Sequence, residues 1–286
     1  MWLSGLLWGI PKVKYHFVSS NPYFPYYFYL AVKSLLCTQR QPEITIWTWR
    51  PPPPENEYWQ SLLKDDRIII KPIEREELPY FKDVREEGRG PAPYIADVVG
   101  YMKLYEYGGI YLDLDILAIR DISYLLKRDA FLVRQFLGYE TVEHFMFMAK
   151  PHSKTIQLAL DYSLKKIQKG GGDPGWGGTG PEAITWAIKN SDEEIDVCED
   201  FTMFLPFYWG NLTPYEEMVA VVDPRVQSEP NSELPLNTHL IHLWSHCQDE
   251  FDRKPVLKKI MPEWIESSSS LYARLVRRII PKAERL

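Results

Sequence analysis

Apolar residues alternate with polar ones in "KVKYHFVSS", crowd at helical spacing in "FPYYFYLAVKSLLC", and return to strand-like spacing in "EITIWTW". That succession predicts strand, helix, strand, the opening of a βαβ unit. The proline run Pro51 to Pro54 reads as a stiff loop, followed by a short helix around Glu57 to Leu63 and a third strand in "RIIIKPI". After the polar loop Arg85 to Pro93, Ile95, Val98, Val99, Met102 and Tyr105 recur at helical spacing until Gly108-Gly109 stops the helix. A new strand then starts at Ile110. Further strands are expected in "AFLVRQF", "FMFMAKP", "MFLPFYW" and "HLIHLWS", with helices over Ser153 to Lys169 and from about Pro181. Strands alternating with helices predict an α/β fold with a mostly parallel sheet.

The chain has 286 residues, 45% of them hydrophobic, enough to bury a substantial core, and it reads as a single domain over residues 1–286. Its formal net charge of −6 gives no basic footprint of the kind nucleic-acid binders show, so no nucleic-acid partner is expected. Aromatics reach 14%, a surplus suited to stacking on sugar rings or filling interfaces. Cys37, Cys198 and Cys247 lie far apart and read as core thiols. No apolar run is long enough to span a bilayer, and the first residues fit a signal peptide poorly.

The stretch "IYLDLDIL" carries the chemistry. Read as one strand, it places Ile110, Leu112, Leu114 and Ile116 on one face and Tyr111, Asp113 and Asp115 on the other. Two carboxylates at that spacing lie roughly 6 to 7 Å apart, and burying them unpaired is costly. A hard divalent cation that also grips a diphosphate resolves the conflict. The alternative is a strand that ends after Leu112, leaving both aspartates in solvent or paired with Arg120 or Arg128.

The surrounding sequence resembles the DxD-motif glycosyltransferases, a family that includes yeast-type initiating mannosyltransferases, animal α-1,4-galactosyltransferases and, more distantly, clostridial glucosylating toxins. The resemblance lies in "IADVVGYMKLYEYGGIYLDLD", with "IPKVKYHF" at the start, "GGTGPEAIT" in the glycine-rich loop and "HLIHLWSH" near the end. It implies a GT-A fold, a nucleoside-diphosphate sugar donor, Mn²⁺ or Mg²⁺, a glycan or glycolipid acceptor, and transfer with retention. It assigns Asp113 to the ribose and the metal, Asp115 to the metal directly, Asp97 to the donor sugar, and His242 and Trp244 to an "HxW" pair over the diphosphate, with His242 able to complete the metal shell. One departure stands out: the arginine that the family usually carries three residues after the aspartate matched by Asp97 is Gly100 here. Three readings stay open: the donor differs, another group such as Lys103 reaches in, or the chain is an inactive relative.

Gly170 to Gly180 is not a P-loop, because Pro181-Glu182 follows where Lys and Ser/Thr would be required. It reads either as a lid, with Trp176 as a stacking surface and Thr179, Gly180 and Glu182 near the substrates, or as a long surface turn. Strand alternation would put His242, Trp244 and His246 on one face, making His246 a second possible ligand; His239 falls in the same segment. Tyr111 suits either the nucleotide base or the core. The sequon at Asn211, followed within the triplet's edge by Pro214, says little. Residues 266–286 form a basic amphipathic tail whose Leu271, Leu275, Val276 and Ile279 either pack on the domain or meet an anionic membrane.

The expected activity is metal-dependent, retaining transfer of a hexose, with a UDP-sugar as donor. Two rivals remain: a metal-dependent nucleotidyltransferase or phosphohydrolase, and a degenerate module that binds glycan or nucleotide without catalysis. The expected location is cytoplasmic, peripheral to a membrane through the tail, with the Golgi lumen as the alternative.

Overall fold

The computed structural model describes residues 12–20, 22–78, 92–127, 130–134, 141–170, 174–175, 177–198, 237–245 and 257–286. The first seven elements are β1 (Val13–Ser19), α1 (Tyr26–Thr38), β2 (Pro42–Thr48), α2 (Glu57–Leu62), β3 (Ile68–Pro72), α3 (Ala92–Tyr107) and β4 (Gly109–Leu112). Then come β5 (Ile116–Ala118), β6 (Ala130–Arg134), β7 (Val142–Ala149), α4 (Lys154–Lys169), α5 (Pro181–Asn190), β8 (Asp196–Cys198), β9 (Leu240–His242), α6 (Pro262–Ser267) and α7 (Leu271–Ile279).

The main sheet has the order β3-β2-β1-β4-β7-β6-β8. Neighbours run parallel at β3/β2, β2/β1, β1/β4 and β6/β8, while β7 is antiparallel to both β4 and β6. It is thus an α/β fold with a mostly parallel sheet. Because the chain leaves β1 for β2 on one side and returns to β4 on the other, the carboxyl ends of β1 and β4 flank a switch point, where open α/β sheets bind ligands. The DxD stretch leaves β4 at that point.

Alternation along β1 sorts two cores. Val13, Tyr15 and Phe17 join α1, α6, α7 and the small β5-β9 sheet in one cluster, whereas Val18 faces a second cluster that includes Val98, Val99 and Ile184 of α3 and α5. The sheet is therefore covered on both sides, which suits strands rich in apolar residues. His16 is the polar exception in β1. Its Nε2–H donates to the Gly108 carbonyl at 2.9 Å and its Nδ1 accepts from Trp47 Nε1–H at 3.3 Å, while burial drives its pKa down to about 4.

Much of the aromatic surplus is structural: Tyr15, Tyr26, Tyr29, Tyr101, Tyr111 and Tyr272 are among the largest fully buried side chains. The expectation of core thiols also needs correction, since Cys37 is exposed and Cys198 is only partly buried; Cys247 lies outside the described residues. The tail packs on the domain: Leu271, Leu275 and Val276 are buried and Ile279 lies against the same cluster. Carbonyls of Arg285 and Glu284 accept from Tyr26 and Tyr29 of α1. Its apolar face is thus spent inside the protein, which leaves the membrane contact unsupported. Among the described residues no helix is long and apolar enough to cross a membrane.

Candidate functional site

Helix α3 delivers the chain to β4 through two glycines. Gly108 has φ +61° and its N–H closes the helix by donating to the Leu104 carbonyl at 2.8 Å, the left-handed cap that glycine adopts without penalty. Gly109, at φ +112°, lies so near Lys14 that a Cβ there would come within 2.5 Å of its carbonyl oxygen.

The DxD stretch is not one continuous strand. β4 ends at Leu112, Leu114 and Asp115 form a turn, and β5 begins at Ile116. The two carboxylates are gathered by that turn rather than by strand alternation. Nor are they left in solvent: Asp115 is 4% exposed and Asp113 is only partly exposed. The reason for the break lies in the hydrogen bonds, since Asp113 N–H donates to the Phe145 carbonyl of β7 at 2.8 Å, whereas β5 leaves the main sheet to pair with β9. In that pairing Ile116 lies opposite His242, which brings the imidazole beside Asp115.

His242 Nε2 is 3.1 Å from Asp115 Oδ1 and 3.8 Å from Asp113 Oδ2. The backbone N–H of Ser245 donates to Asp115 Oδ2 at 2.6 Å, and the Tyr111 hydroxyl donates to Asp113 Oδ1 at 2.7 Å. Trp244 does not continue β9. It has φ +53°, a costly conformation for a bulky residue, and stands between Leu243 N–H, bonded to the Asp115 carbonyl at 2.8 Å, and Ser245 N–H. Its ring still lies 4.3 Å from that of His242, whose other neighbour is the stacked ring of Phe145 at 4.8 Å. The shared face expected for His242, Trp244 and His246 does not form as an extended strand; His246 lies outside the described residues.

Burial and mutual charge shift the groups of this cluster. Burial, followed by the charge of Asp115, pushes the Asp113 carboxyl up to about 7. Burial alone would lower His242, but the Asp115 carboxylate, by charge and hydrogen bond, holds its pKa above the usual imidazole value. Ligand atoms of Asp113, Asp115 and His242 all lie within 4.8 Å of one another. Two hard carboxylates with one imidazole suit a divalent first-row ion, which would also remove the repulsion between the acids. The residues fit the metal that the sequence implies.

Asp97 lies one layer over, on α3. Its Oδ2 accepts from the Thr179 hydroxyl at 2.5 Å, and its Oδ1 is 3.1 Å from His144 Nδ1. Gly180, at the start of α5, fits closely here: a Cβ would meet Asp97 Oδ2 at 3.3 Å and the His144 ring at 3.4 Å. The structure thus brings Asp97, Thr179 and Gly180 together. Glu182 is elsewhere, bonded to Tyr162 and Lys166 on the outer faces of α4 and α5. Lys103 is no substitute for the missing arginine, because it is held by Glu77 at 2.7 Å and lies over the Trp47 ring. His239 binds the Asn237 carbonyl, outside the acid cluster. Trp176, Asn211, Arg128 and the strand expected in "MFLPFYW" lie outside the described residues.

Gly100 now has a physical reason. A Cβ at that position would lie 2.8 Å from Tyr111 Cε2, so the Tyr111 ring fills the space against α3 that a side chain would occupy. Tyr111 is buried, with its ring stacked on Phe147 and its hydroxyl on Asp113, so it belongs to the core and orients the acid. His144 was not apparent from the sequence. The signal present was a histidine and a glutamate inside the otherwise apolar run of β7, where both are buried.

Residues 27–132 match the family model described as glycosyltransferase sugar-binding region containing DXD motif. That stretch is similar to the sugar-binding region of DXD-motif glycosyltransferases. The match includes Asp97, Asp113 and Asp115 and stops before His144 and His242. Among solved structures, the galactosyltransferase LgtC in complex with donor and acceptor sugar analogues aligns at 12% identity and TM-score 0.52, covering 93% of this chain and 95% of that one. The glycosyltransferase GlyE of Streptococcus pneumoniae TIGR4 aligns at 15% identity and TM-score 0.51, covering 96% of this chain and 64% of that one. At such identities the likeness concerns the fold, which is that of GT-A glycosyltransferases. No curated protein sequence matches the chain.

Proposed function

We propose that the protein moves a hexose from a nucleoside-diphosphate sugar, a UDP-sugar, to a hydroxyl of a glycan or glycolipid, with a divalent cation and with retention of anomeric configuration. The observation that carries this reading is the convergence of Asp113, Asp115 and His242 at the switch point of the sheet. These three side chains would hold Mn²⁺ or Mg²⁺, and the ion would supply Lewis-acid neutralisation of charge developing on the departing diphosphate. The remaining groups set the geometry in advance. Ser245 N–H and His242 fix Asp115, Tyr111 fixes Asp113, and the ring of Trp244 beside His242 shields the diphosphate end from water. Retention, with same-face attack assisted by the leaving phosphate, is the course that the family resemblance implies.

A nucleotidyltransferase is the weaker reading, because two-metal sites of that kind usually gather three or more acids. Among the described residues the cluster has two carboxylates and a histidine. Incubation with UDP-glucose, UDP-galactose or GDP-mannose plus Mn²⁺ distinguishes the two. Release of nucleoside diphosphate is expected from one donor, and Asp115→Asn should reduce it by about a hundredfold or more with the circular dichroism spectrum unchanged. Release of nucleoside monophosphate would overturn the proposal.

A further inference from the structure

A second polar group stands ready beside the acid cluster. His144 is 6% exposed, and its Nδ1 faces Asp97 Oδ1 at 3.1 Å, so the carboxylate holds the proton on Nδ1 and leaves Nε2 with a lone pair. Nε2 is sealed from solvent and, among the described residues, has no hydrogen-bond partner. A buried acceptor left unsatisfied costs stability, and native proteins seldom retain one without a use.

Its surroundings indicate that use. The ring is walled by Tyr101, Tyr111 and Phe147, with centroids 5.3, 5.7 and 4.9 Å away, and Gly180 lies against it, where a Cβ would touch the ring at 3.4 Å. Tyr111 binds Asp113 through its hydroxyl, and Phe145, the next residue in β7, both accepts from Asp113 N–H and stacks on His242. Strand pleating therefore puts Phe145 at the proposed diphosphate end and His144 on the opposite face, against α3 and α5. Tyr111 therefore touches both sites, with its hydroxyl on Asp113 and its ring beside His144, so the imidazole lies one side chain away from the proposed diphosphate end. Rings flanking one acceptor are what a sugar requires, since its C–H faces stack while its hydroxyls need partners.

We propose that His144 Nε2 accepts a hydrogen bond from a hydroxyl of the donor hexose, and that Asp97 positions His144 for it. The inference rests on the nucleotide-sugar reading above and specifies which residue distinguishes the sugar. Both oxygens of Asp97 are engaged by protein groups, His144 and Thr179, which agrees with a supporting part. The bond forms once the ligand has parted the packing that now closes over Nε2. Hexoses with a free hydroxyl at this point are selected over the corresponding deoxy sugars.

The test compares thermal shifts with Mn²⁺ plus UDP against Mn²⁺ plus each UDP-hexose. In the wild type UDP should raise the melting temperature, and the accepted UDP-hexose should raise it further. His144→Phe should keep the UDP increment and lose the sugar-dependent one, equivalent to about tenfold weaker binding of the sugar, whereas His144→Gln, which retains an acceptor, should restore part of it. Asp97→Asn should weaken the sugar increment and leave the UDP increment intact. If the His144 variants do not fold, UDP-deoxyhexoses on the wild type serve instead: one should lose the extra shift. An undiminished sugar increment in His144→Phe, or equal shifts with every deoxyhexose, would overturn the proposal. No shift with UDP and Mn²⁺ in the wild type would instead remove the nucleotide-sugar reading beneath it.

Discussion

Gly100 is an example of a residue whose absence of side chain has a function. An alanine there gains about 0.5–1 kcal/mol of helix propensity. Against that stands a Cβ 2.8 Å from the ring of a buried tyrosine, and such overpacking costs about 1–3 kcal/mol, so the clash wins. We expect Gly100→Ala to unfold at lower urea concentration and, because Tyr111 is moved off Asp113, to bind Mn²⁺ more weakly by calorimetry. His16 makes a different residue-scale prediction. Its folded pKa of about 4 lies below the ordinary 6.5, so the unfolded chain binds more protons between those values. Stability is therefore complete above about pH 6.5 and falls as acid protonates the imidazole of the unfolded chain while the buried ring stays neutral, by up to about 3 kcal/mol by pH 4. Urea titrations from pH 7 to 4 should show a smaller decline in His16→Gln.

Between residue and fold, the β4–β5 break shows what sequence pattern conveys and what it omits. Apolar alternation placed Ile110 and Leu112 in one core and Tyr111 in the other, as found. It could not show that β5 deserts the main sheet, because that depends on β9, more than a hundred residues further on. The same limit hid His144, whose importance comes from an aspartate on α3 and a glycine at the start of α5. The tail is the opposite case. Its apolar stripe was plain, but the choice between lipid and protein depended on whether α1 presented a matching face. Since Leu275 is buried in that contact, Leu275→Ala should cost about 2–4 kcal/mol in urea unfolding. A stability change below 0.5 kcal/mol, about the size expected at exposed sites, would mean the helix is not docked in solution.

At the scale of the whole molecule, the alternation of strands and helices was enough to anticipate the α/β class and the mostly parallel sheet, and the DxD segment with its flanking glycines located the acids. The antiparallel β7, inside the sheet next to the central β4, was not apparent, since a continuous apolar run has no direction. The strand is nonetheless what joins the two halves of the site, through Phe145 on one side and His144 on the other. If Asp113 and Asp115 are held apart by repulsion until a cation arrives, chelation should affect the assembly and not only the chemistry. EDTA is expected to abolish turnover, and adding Mn²⁺ to the stripped protein should raise the melting temperature, with Asp115→Asn showing little of that gain.

The double glycine between α3 and β4 has one more consequence. Asp97 and Asp113 belong to a helix and a strand joined by a hinge too cramped to lengthen, with Pro151 against one glycine and Lys14 against the other. The connector acts as a fixed ruler between the two ends of whatever ligand spans them. A residue inserted at that joint would have to displace Pro151 or Lys14, or slip β4 by one position and turn Tyr111 and Asp113 to the other face, so metal binding is expected to fail together with the fold.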